Sequence, residues 1–385
     1  MKAVVIGGGI GGLAAGIALH RAGWHVDVLE KAAKLEPVGS GLAVASNGLR
    51  ALDVLGLGDR VRELSRMEGQ VGIRRHDGAW LTHTTEDRAR ELYGDSIVVL
   101  LRARLVELLT ETLGPERLRL GTAVTGVDAA TGTVRTDAGE LTADLVVAAD
   151  GIHSRVRAAL FPRHPEPVYA GVTTWRGLAP RPDGPIRSSE SWGRGTVFGI
   201  HALDDELVYF YATDLSPAGA TGGDERAELV RRFGTWHAPI PALLEGARPD
   251  HILRNDLYYL REPLPAMHAG RVALLGDAAH PMTPNLGQGA CQALEDAVVL
   301  GHLAGGDLAA YTEARLRRTA DVVRKSMAIC RITKVRNPVA VAVRDRAMSL
   351  ASRFRPDLML RSMDEILGWR PPVSTGSDRA SAGPA

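Results

Sequence analysis

Val4-Val5-Ile6-Gly7-Gly8-Gly9-Ile10-Gly11-Gly12 opens the chain, and Glu30 stands eighteen residues beyond the last of these glycines. Three apolar residues run straight into a G-x-G-x-x-G pattern. Ile10 to Ala22 is then rich in Leu, Ala and Ile at helical spacing, and Gly23 closes it. Val26 to Leu29 reads as a second short strand, so strand, glycine turn, helix and strand fit within about thirty residues. In such a unit Gly7 permits the tight turn, Gly9 lets the backbone approach a pyrophosphate, and Gly12 lets helix and strand pack closely. The helix N-terminus offers free N–H groups and a positive dipole end to the phosphates. Glu30, at the end of the second strand, is placed to accept hydrogen bonds from a ribose. An acid there prefers an unphosphorylated ribose, hence FAD or NAD rather than NADP. A ligand-free glycine turn is the alternative for the glycines alone; strand, helix and acid in place argue against it.

Composition sets the outer bounds. The 385 residues are 45% hydrophobic and 24% charged, with a formal net charge of +1. That suits two globular domains and gives no reason to expect nucleic acid or an anionic membrane as partner. Cys291 and Cys330 cannot make a disulfide framework and match no metal-ligand spacing, so no metal is expected. Cys291, beside Ala290 and Ala293, reads as a buried apolar filler. No run approaches the ~20 apolar residues of a membrane span. The chain opens without the features of a signal peptide, so a cytoplasmic protein is expected.

Further along, Leu49 to Leu57 and Leu101 to Leu113 carry leucines three or four apart and read as helices. Leu118 to Val147 reads as a meander of short strands. From 166 to 266 the character changes: eleven of the eighteen aromatic residues lie there. Thr196 to Leu203, a turn at Asp204-Asp205, and Glu206 to Ala212 read as a β-hairpin. Gly219 to Gly223 reads as a loop, and Ser374 to Ala385 as a disordered tail. Arg271 to Leu275 is a buried strand, and Asp277 emerges from its carboxyl end, where ligands bind in an open α/β sheet. Pro284-Asn285-Leu286-Gly287-Gln288-Gly289-Ala290 follows, with a helix expected from Gly287 to Leu303. Its free N–H groups suit an anion.

Three signatures resemble, in order and spacing, those of the single-component flavoprotein aromatic hydroxylases. That is the family of para-hydroxybenzoate, salicylate, 3-hydroxybenzoate and FAD-dependent urate hydroxylases. The first is the fingerprint with Glu30, the second is Asp144-Leu145-Val146-Val147-Ala148-Ala149-Asp150-Gly151-Ile152-His153-Ser154-Arg155-Val156-Arg157, and the third runs from Gly276-Asp277 to Glu295-Asp296-Ala297. Pro37-Val38-Gly39-Ser40-Gly41-Leu42, Leu101-Arg102-Ala103-Arg104-Leu105 and Trp175-Arg176-Gly177 are similar to lesser family features, so residues 1 to about 330 are covered.

The resemblance implies an α/β fold: a Rossmann-like FAD-binding domain with an inserted β-sheet substrate domain and C-terminal helices. We expect the FAD-binding domain at 1–70, 101–165 and 267–335, the substrate domain at 71–100 and 166–266, and C-terminal helices at 336–373. FAD would be held by Gly7, Gly9, Gly11, Gly12 and Lys31, with Glu30 at the ribose and Gly41 near the flavin ring. Arg102 would meet the pyrophosphate or ribityl chain and Val124 the adenine. Asp150 would serve both FAD and a transient nicotinamide cofactor, and Asp277 a ribityl or ribose hydroxyl. Pro284, Gly287, Gln288, Gly289 and Ala290 would face the anionic end of the reduced ring. From the residues alone, segment 144–157 equally reads as a strand whose turn caps a helix, with Ser154 as N-cap.

The implied activity is hydroxylation of a small aromatic, polycyclic or conjugated substrate with NADH or NADPH and O2, through a flavin C4a-hydroperoxide, by a monomer or homodimer. A single fingerprint leaves NAD(P)H no second stable site. Epoxidation, Baeyer–Villiger insertion and natural-product tailoring or inactivation use the same motifs. A flavin-bound sensor without turnover is the rival from another class. On the substrate side His201, Tyr211 and Trp175 are candidates to line the pocket, against the plainer reading of aromatics packing a sheet core. His280, beside the flavin loop, is read as part of the cofactor motif rather than as a base.

Overall fold

The computed structural model describes residues 1–35, 40–64, 70–204, 206–220, 223–354, 357 and 361–372. Its first layer is a six-stranded sheet in the order His268–Ala269, Val272–Leu274, Leu145–Ala148, Lys2–Ile6, His25–Leu29 and Leu118–Arg119. All neighbours run parallel except the edge pair His268–Ala269 and Val272–Leu274. The central strands are buried on both faces, which is why Val4-Val5-Ile6 and Leu145-Val146-Val147 are unbroken apolar runs rather than alternating ones. From Lys2–Ile6 the chain first adds His25–Leu29 on one side and later Leu145–Ala148 on the other. The strand order therefore reverses at the carboxyl end of the first strand, the position where open α/β sheets form their ligand crevice.

Helix Ile10–Arg21 lies between this sheet and helix Gly289–Leu303 and is buried almost all round. Gly301 makes the crossing possible. A Cβ there would sit 2.7 Å from the Ala18 Cβ and 3.1 Å from the Ala18 carbonyl carbon. The expected meander is present as a three-stranded antiparallel sheet, Val124–Asp128, Thr133–Thr136 and Gly139–Thr142, after the edge strand Leu118–Arg119.

The second layer is a seven-stranded sheet in the order Leu253–Tyr259, Val168–Pro180, Leu207–Asp214, Val197–Ala202, Ser189–Trp192, Gln70–Arg75 and Trp80–Thr85. Its pairs are antiparallel except Ser189–Trp192 with Gln70–Arg75. The expected hairpin is its centre, with His201 opposite Tyr209 and Gly199 opposite Tyr211. One face packs Trp175, Phe198, Ile200 and Phe210 against helices Glu225–Phe233 and Ile240–Gly246. The other face packs Tyr209 and Leu203 against a two-stranded ribbon, Gly41–Val44 with Val98–Leu101. That ribbon joins the two layers, and it takes Val98–Leu101 away from the large sheet.

Helices Leu308–Thr333 and Pro338–Phe354 follow, and the short helix Asp364–Leu367 returns to the first layer. Among the described residues no helix is long and apolar enough to cross a membrane. Asp205, part of 219–223 and the tail from 374 lie outside the described residues, as do Pro37, Val38 and Gly39.

Gly301→Val is expected to overpack the helix crossing and lower stability by about 1–3 kcal/mol. Chemical denaturation of the purified protein would read the loss; an unchanged midpoint would show that the two helices can separate at no cost.

Candidate active site

The glycine turn is shaped by what surrounds it. Gly7 is left-handed at φ +107, and a Cβ there would meet the Ala149 carbonyl oxygen at 2.3 Å. A Cβ on Gly12 would meet the Gly7 carbonyl oxygen at 1.9 Å. Gly11 faces Leu275 and Ala293, so it serves helix–strand packing and turns away from the crevice. Gly9 is different: a Cβ there would enter open space. That open space lies at the start of helix Ile10–Arg21, where free backbone N–H groups suit an anion such as a pyrophosphate.

Glu30 is fixed by the backbone. Gly8 N donates to its Oε2 at 2.7 Å and Ala32 N to its Oε1 at 2.9 Å, and each oxygen keeps a further lone pair for a ribose hydroxyl. Lys31 is exposed beside it, and Val124 is half-buried at the start of its strand. Arg102 begins helix Arg102–Leu113, its N–H donating to the Ser40 carbonyl at 2.9 Å, with its guanidinium open to solvent.

Asp150 ends the strand Leu145–Ala148. Val156 N donates to its Oδ2 at 3.3 Å, whereas its Oδ1 is buried with no partner. Ser154 caps helix Arg155–Leu160 by accepting from Arg157 N at 2.9 Å, so the segment is a strand whose turn caps a helix. Asp277 is reached by water yet encircled by protein, and burial raises its carboxyl above the usual range while His280, Arg102 and Arg157 oppose this. Asn285 Oδ1 is a second buried oxygen without a partner. Orphaned acceptors at Asp150 and Asn285, the open position at Gly9 and another at Gly289 fit a long, hydroxyl-rich, phosphate-bearing cofactor. These residues fit FAD.

The final motif departs from expectation in one detail. Pro284–Leu286 is a 3-10 turn, Gly287 is left-handed at φ +61, and the helix starts at Gly289 rather than Gly287. The left-handed residue turns the chain between the 3-10 turn and the helix. Gln288 is buried and looks inward: its Oε1 accepts from Asn47 Nδ2 at 2.9 Å and Gln292 Nε2 at 3.2 Å. Its side chain is therefore part of a support beneath the motif, and only its backbone faces the crevice.

That support was not legible in the motifs. Arg315, fully buried in helix Leu308–Thr333, donates to Glu295 Oε2 and Asp296 Oδ1, both at 2.6 Å. Asp296 also accepts from Gly276 N at 3.0 Å and holds the His280 Nε2 at 2.6 Å. Glu295 accepts from Asn47 at 2.7 Å and from Arg318 at 2.6 and 2.8 Å. Arg318 donates on to the carbonyls of Glu365 and Ile366, and Ser46 and Arg50 donate to that of Leu367. Burial pushes the Asp296 carboxyl up, but the His280 imidazole and Arg315 guanidinium outweigh it and hold it at about 2. His280 thus supports the cofactor loop. Arg157 is a second clamp: buried, it donates to the Ala278 carbonyl at 3.0 Å and to that of Ile152 at 2.7 Å, tying the two aspartate loops together. The available signal was Arg315 itself, a charge on the buried Tyr311, Thr319, Val322 face of its helix.

Facing the crevice, the large sheet presents His201, Tyr209, Tyr211 and Glu190. Tyr211 lies over Gly199, where a Cβ would meet its ring at 2.1 Å, and its hydroxyl donates to Glu190 Oε1 on the strand beyond that glycine's. Trp192 Nε1 donates to the other Glu190 oxygen at 2.9 Å. His201 stacks beside both tyrosines at 6.4 and 6.0 Å; burial lowers its pKa to about 4, and its Nδ1 has no partner. Tyr209 covers Gly41, where a Cβ would meet its ring at 2.4 Å. Trp175 corrects an expectation. It points to the opposite face, fully buried beside Phe210, with Nε1 donating to Glu225 Oε2 at 2.6 Å, so it packs a core and does not share the His201 face.

The FAD binding domain family matches residues 1–172 and 261–326. Aurachin C monooxygenase/isomerase of Stigmatella aurantiaca is 38% identical over 373 residues, covering 94% of this chain and 97% of that protein. The FAD-dependent urate hydroxylase of Klebsiella oxytoca is 33% identical over 349 residues, 86% of this chain and 90% of that protein. The structure of Klebsiella pneumoniae HpxO with FAD and uric acid superposes with a TM-score of 0.86 at 29% identity, covering 95% of this chain and 97% of that one.

Arg315→Met leaves two buried carboxylates short of a partner and is expected to cost about 3–5 kcal/mol, with FAD released on gel filtration. Asp296 carries a pH signature. Its folded pKa lies below the ordinary 3.8, so its contribution is complete above that value and is lost as pH falls toward 2. Urea midpoints between pH 5 and pH 2.5 should fall steeply in wild type and less in Asp296→Asn; parallel curves would remove Asp296 from the account.

Proposed function

The chain belongs to the FAD binding domain family and is an FAD-dependent monooxygenase, and we propose that it oxygenates a flat heteroaromatic molecule held against His201, Tyr209 and Tyr211. The observation that carries this reading is a run of electrostatic neighbours from Asp277 through Arg102 and Arg176 to Tyr209, which sets a cradle with orphaned acceptors beside an aromatic wall with an orphaned imidazole nitrogen. Bound FAD supplies the redox chemistry, taking a hydride from NAD(P)H and activating O2.

The protein's part is binding, orientation and exclusion of water. In this reading Gly9 and Arg102 meet the pyrophosphate, Glu30 the ribose with Lys31 beside it, and Val124 the adenine. Asp150 and Asp277 bind ribityl or ribose hydroxyls, and Asp150 also meets the nicotinamide cofactor in passing. The turn from Pro284 to Ala290 aims a helix N-terminus at the flavin, where its N–H groups oppose negative charge on the reduced ring. Gly41 brings the backbone close beneath Tyr209.

On the substrate side, a neutral His201 has one nitrogen to donate and one to accept, which suits the N–H and C=O edge of a heterocycle. Urate, acted on by the Klebsiella relative, is a heterocycle of that kind. Glu190 holds the Tyr211 hydroxyl and so fixes the ring that a planar substrate would stack on. Desolvation inside this wall keeps water from the reacting atoms. A cytoplasmic monomer or homodimer completes the proposal.

The test is NADH and NADPH oxidation by the purified yellow protein across phenols, salicylates, purines and quinolones, with products weighed for one added oxygen atom. A heterocycle that speeds oxidation and gains oxygen supports the reading; oxygenation confined to simple phenols would displace it. His201→Ala is expected to retain FAD and to lose about tenfold or more in kcat/KM, the worth of one buried hydrogen bond and its packing. An unchanged kcat/KM would place the substrate elsewhere.

A further inference from the structure

Behind the large sheet, on the face turned away from His201 and Tyr211, lies a second cavity. Its volume is about 220 Å³, several times the ~30 Å³ share of one water in the liquid. Arg74, Arg187, Ser189 and His237 form its polar side, and Ile200 and Pro239 part of its apolar side. The strand registers place Ile200, Ser189 and Arg74 on this face, since Ile200 pairs with Phe210 and with Ser189.

The charges here are one-sided. Arg74 stacks over Trp80 at 4.1 Å, but its Nε is buried without a hydrogen-bond partner. Burial, and after it the charge of Arg187, a second cation, push the Arg74 pKa down. Among the described residues Arg187 donates to the neutral Gln70 Oε1, at 3.2 Å. The acid next along, Asp77, is already taken by Arg75. His237 is also satisfied, its Nδ1 with the Ala238 carbonyl at 2.7 Å and its Nε2 with the Ser191 hydroxyl at 2.7 Å. Arg74, half-buried with a buried unpartnered Nε, faces a second, exposed cation at this cavity with no carboxylate between them among the described residues, an arrangement that an anion would complete.

We propose that this cavity binds a phosphate group, bridged by the guanidinium groups of Arg74 and Arg187, with the apolar wall of Ile200 and Pro239 taking the organic part of the ligand. Guanidinium groups present paired N–H donors at the spacing of phosphate oxygens. The room exceeds that needed by chloride, and the mixed lining suits a phosphomonoester. The site is separate from the flavin crevice, because the two open on opposite faces of one sheet.

The test uses the FAD-loaded enzyme. Thermal unfolding is followed in rising sodium phosphate against sodium chloride at matched ionic strength, for wild type, Arg187→Gln and Arg74→Gln. The proposal expects a saturable rise in Tm for wild type alone. Arg187→Gln guards against a folding defect, since Arg187 is exposed and packs nothing, whereas Arg74 holds Trp80. Kinetics separates two sources of the phosphate. If it arrives on the reductant, Arg187→Gln raises KM for NADPH about tenfold or more and leaves that for NADH, the worth of a charge-assisted hydrogen bond. If it is free phosphate or another ester, the Tm response is lost in the variant and both KM values stay as in wild type. An equal Tm rise in wild type and Arg187→Gln, or no rise over chloride with the NADPH KM unmoved, overturns the site.

Discussion

The Asp277 loop and the turn from Pro284 to Gly289 rest on one buried cluster of charge, in which Arg315 holds Glu295 and Asp296 at 2.6 Å each. Three fully buried ionic side chains would be ruinous if any were left alone, so the cluster is viable only when closed. It is closed by groups with positional work of their own. Gly276 N fixes the loop that carries Asp277, His280 fixes the loop beyond it, and Asn47 and Gln288 fix the two approaches to the flavin side. The energy gained by satisfying the charges and the geometry needed to bind a cofactor are thus one requirement.

The first layer was largely legible because its decisive residues are contiguous. Gly7, Gly9, Gly12 and Glu30 act through backbone shape and strand ends, which local sequence specifies. The helix start at Gly289 was misjudged by two residues, because nothing in the sequence says which of two nearby glycines takes the left-handed conformation. Arg157 and Arg315 were missed as supports for a different reason. The carbonyls that Arg157 reaches across the crevice lie 120 residues away, and spacing along the chain carries no trace of that.

The second layer shows where pattern reading fails. The hairpin and its alternation were readable, and with them the shared face of His201 and Tyr211. Trp175 was not, since it sits on a thirteen-residue strand with a register shift between Tyr169 and Thr173 and apolar residues on both faces. Parity cannot choose a face there. The pairing of Tyr211 with Glu190 was equally hidden: it crosses three strands and depends on Gly199 having no side chain for the ring to meet. In hindsight that glycine, in the middle of a strand, was the visible mark of a close approach.

The carbonyls of Glu365, Ile366 and Leu367 bind Arg318, Ser46 and Arg50, so the last helix of the described chain is fastened to the floor of the flavin crevice. During synthesis the phosphate-binding turn emerges well before this fastening. A nascent chain therefore displays its dinucleotide fingerprint long before it owns a finished cradle. The cradle is completed only when that helix emerges, and a polypeptide interrupted before it lacks the carbonyls that hold Arg318, Ser46 and Arg50.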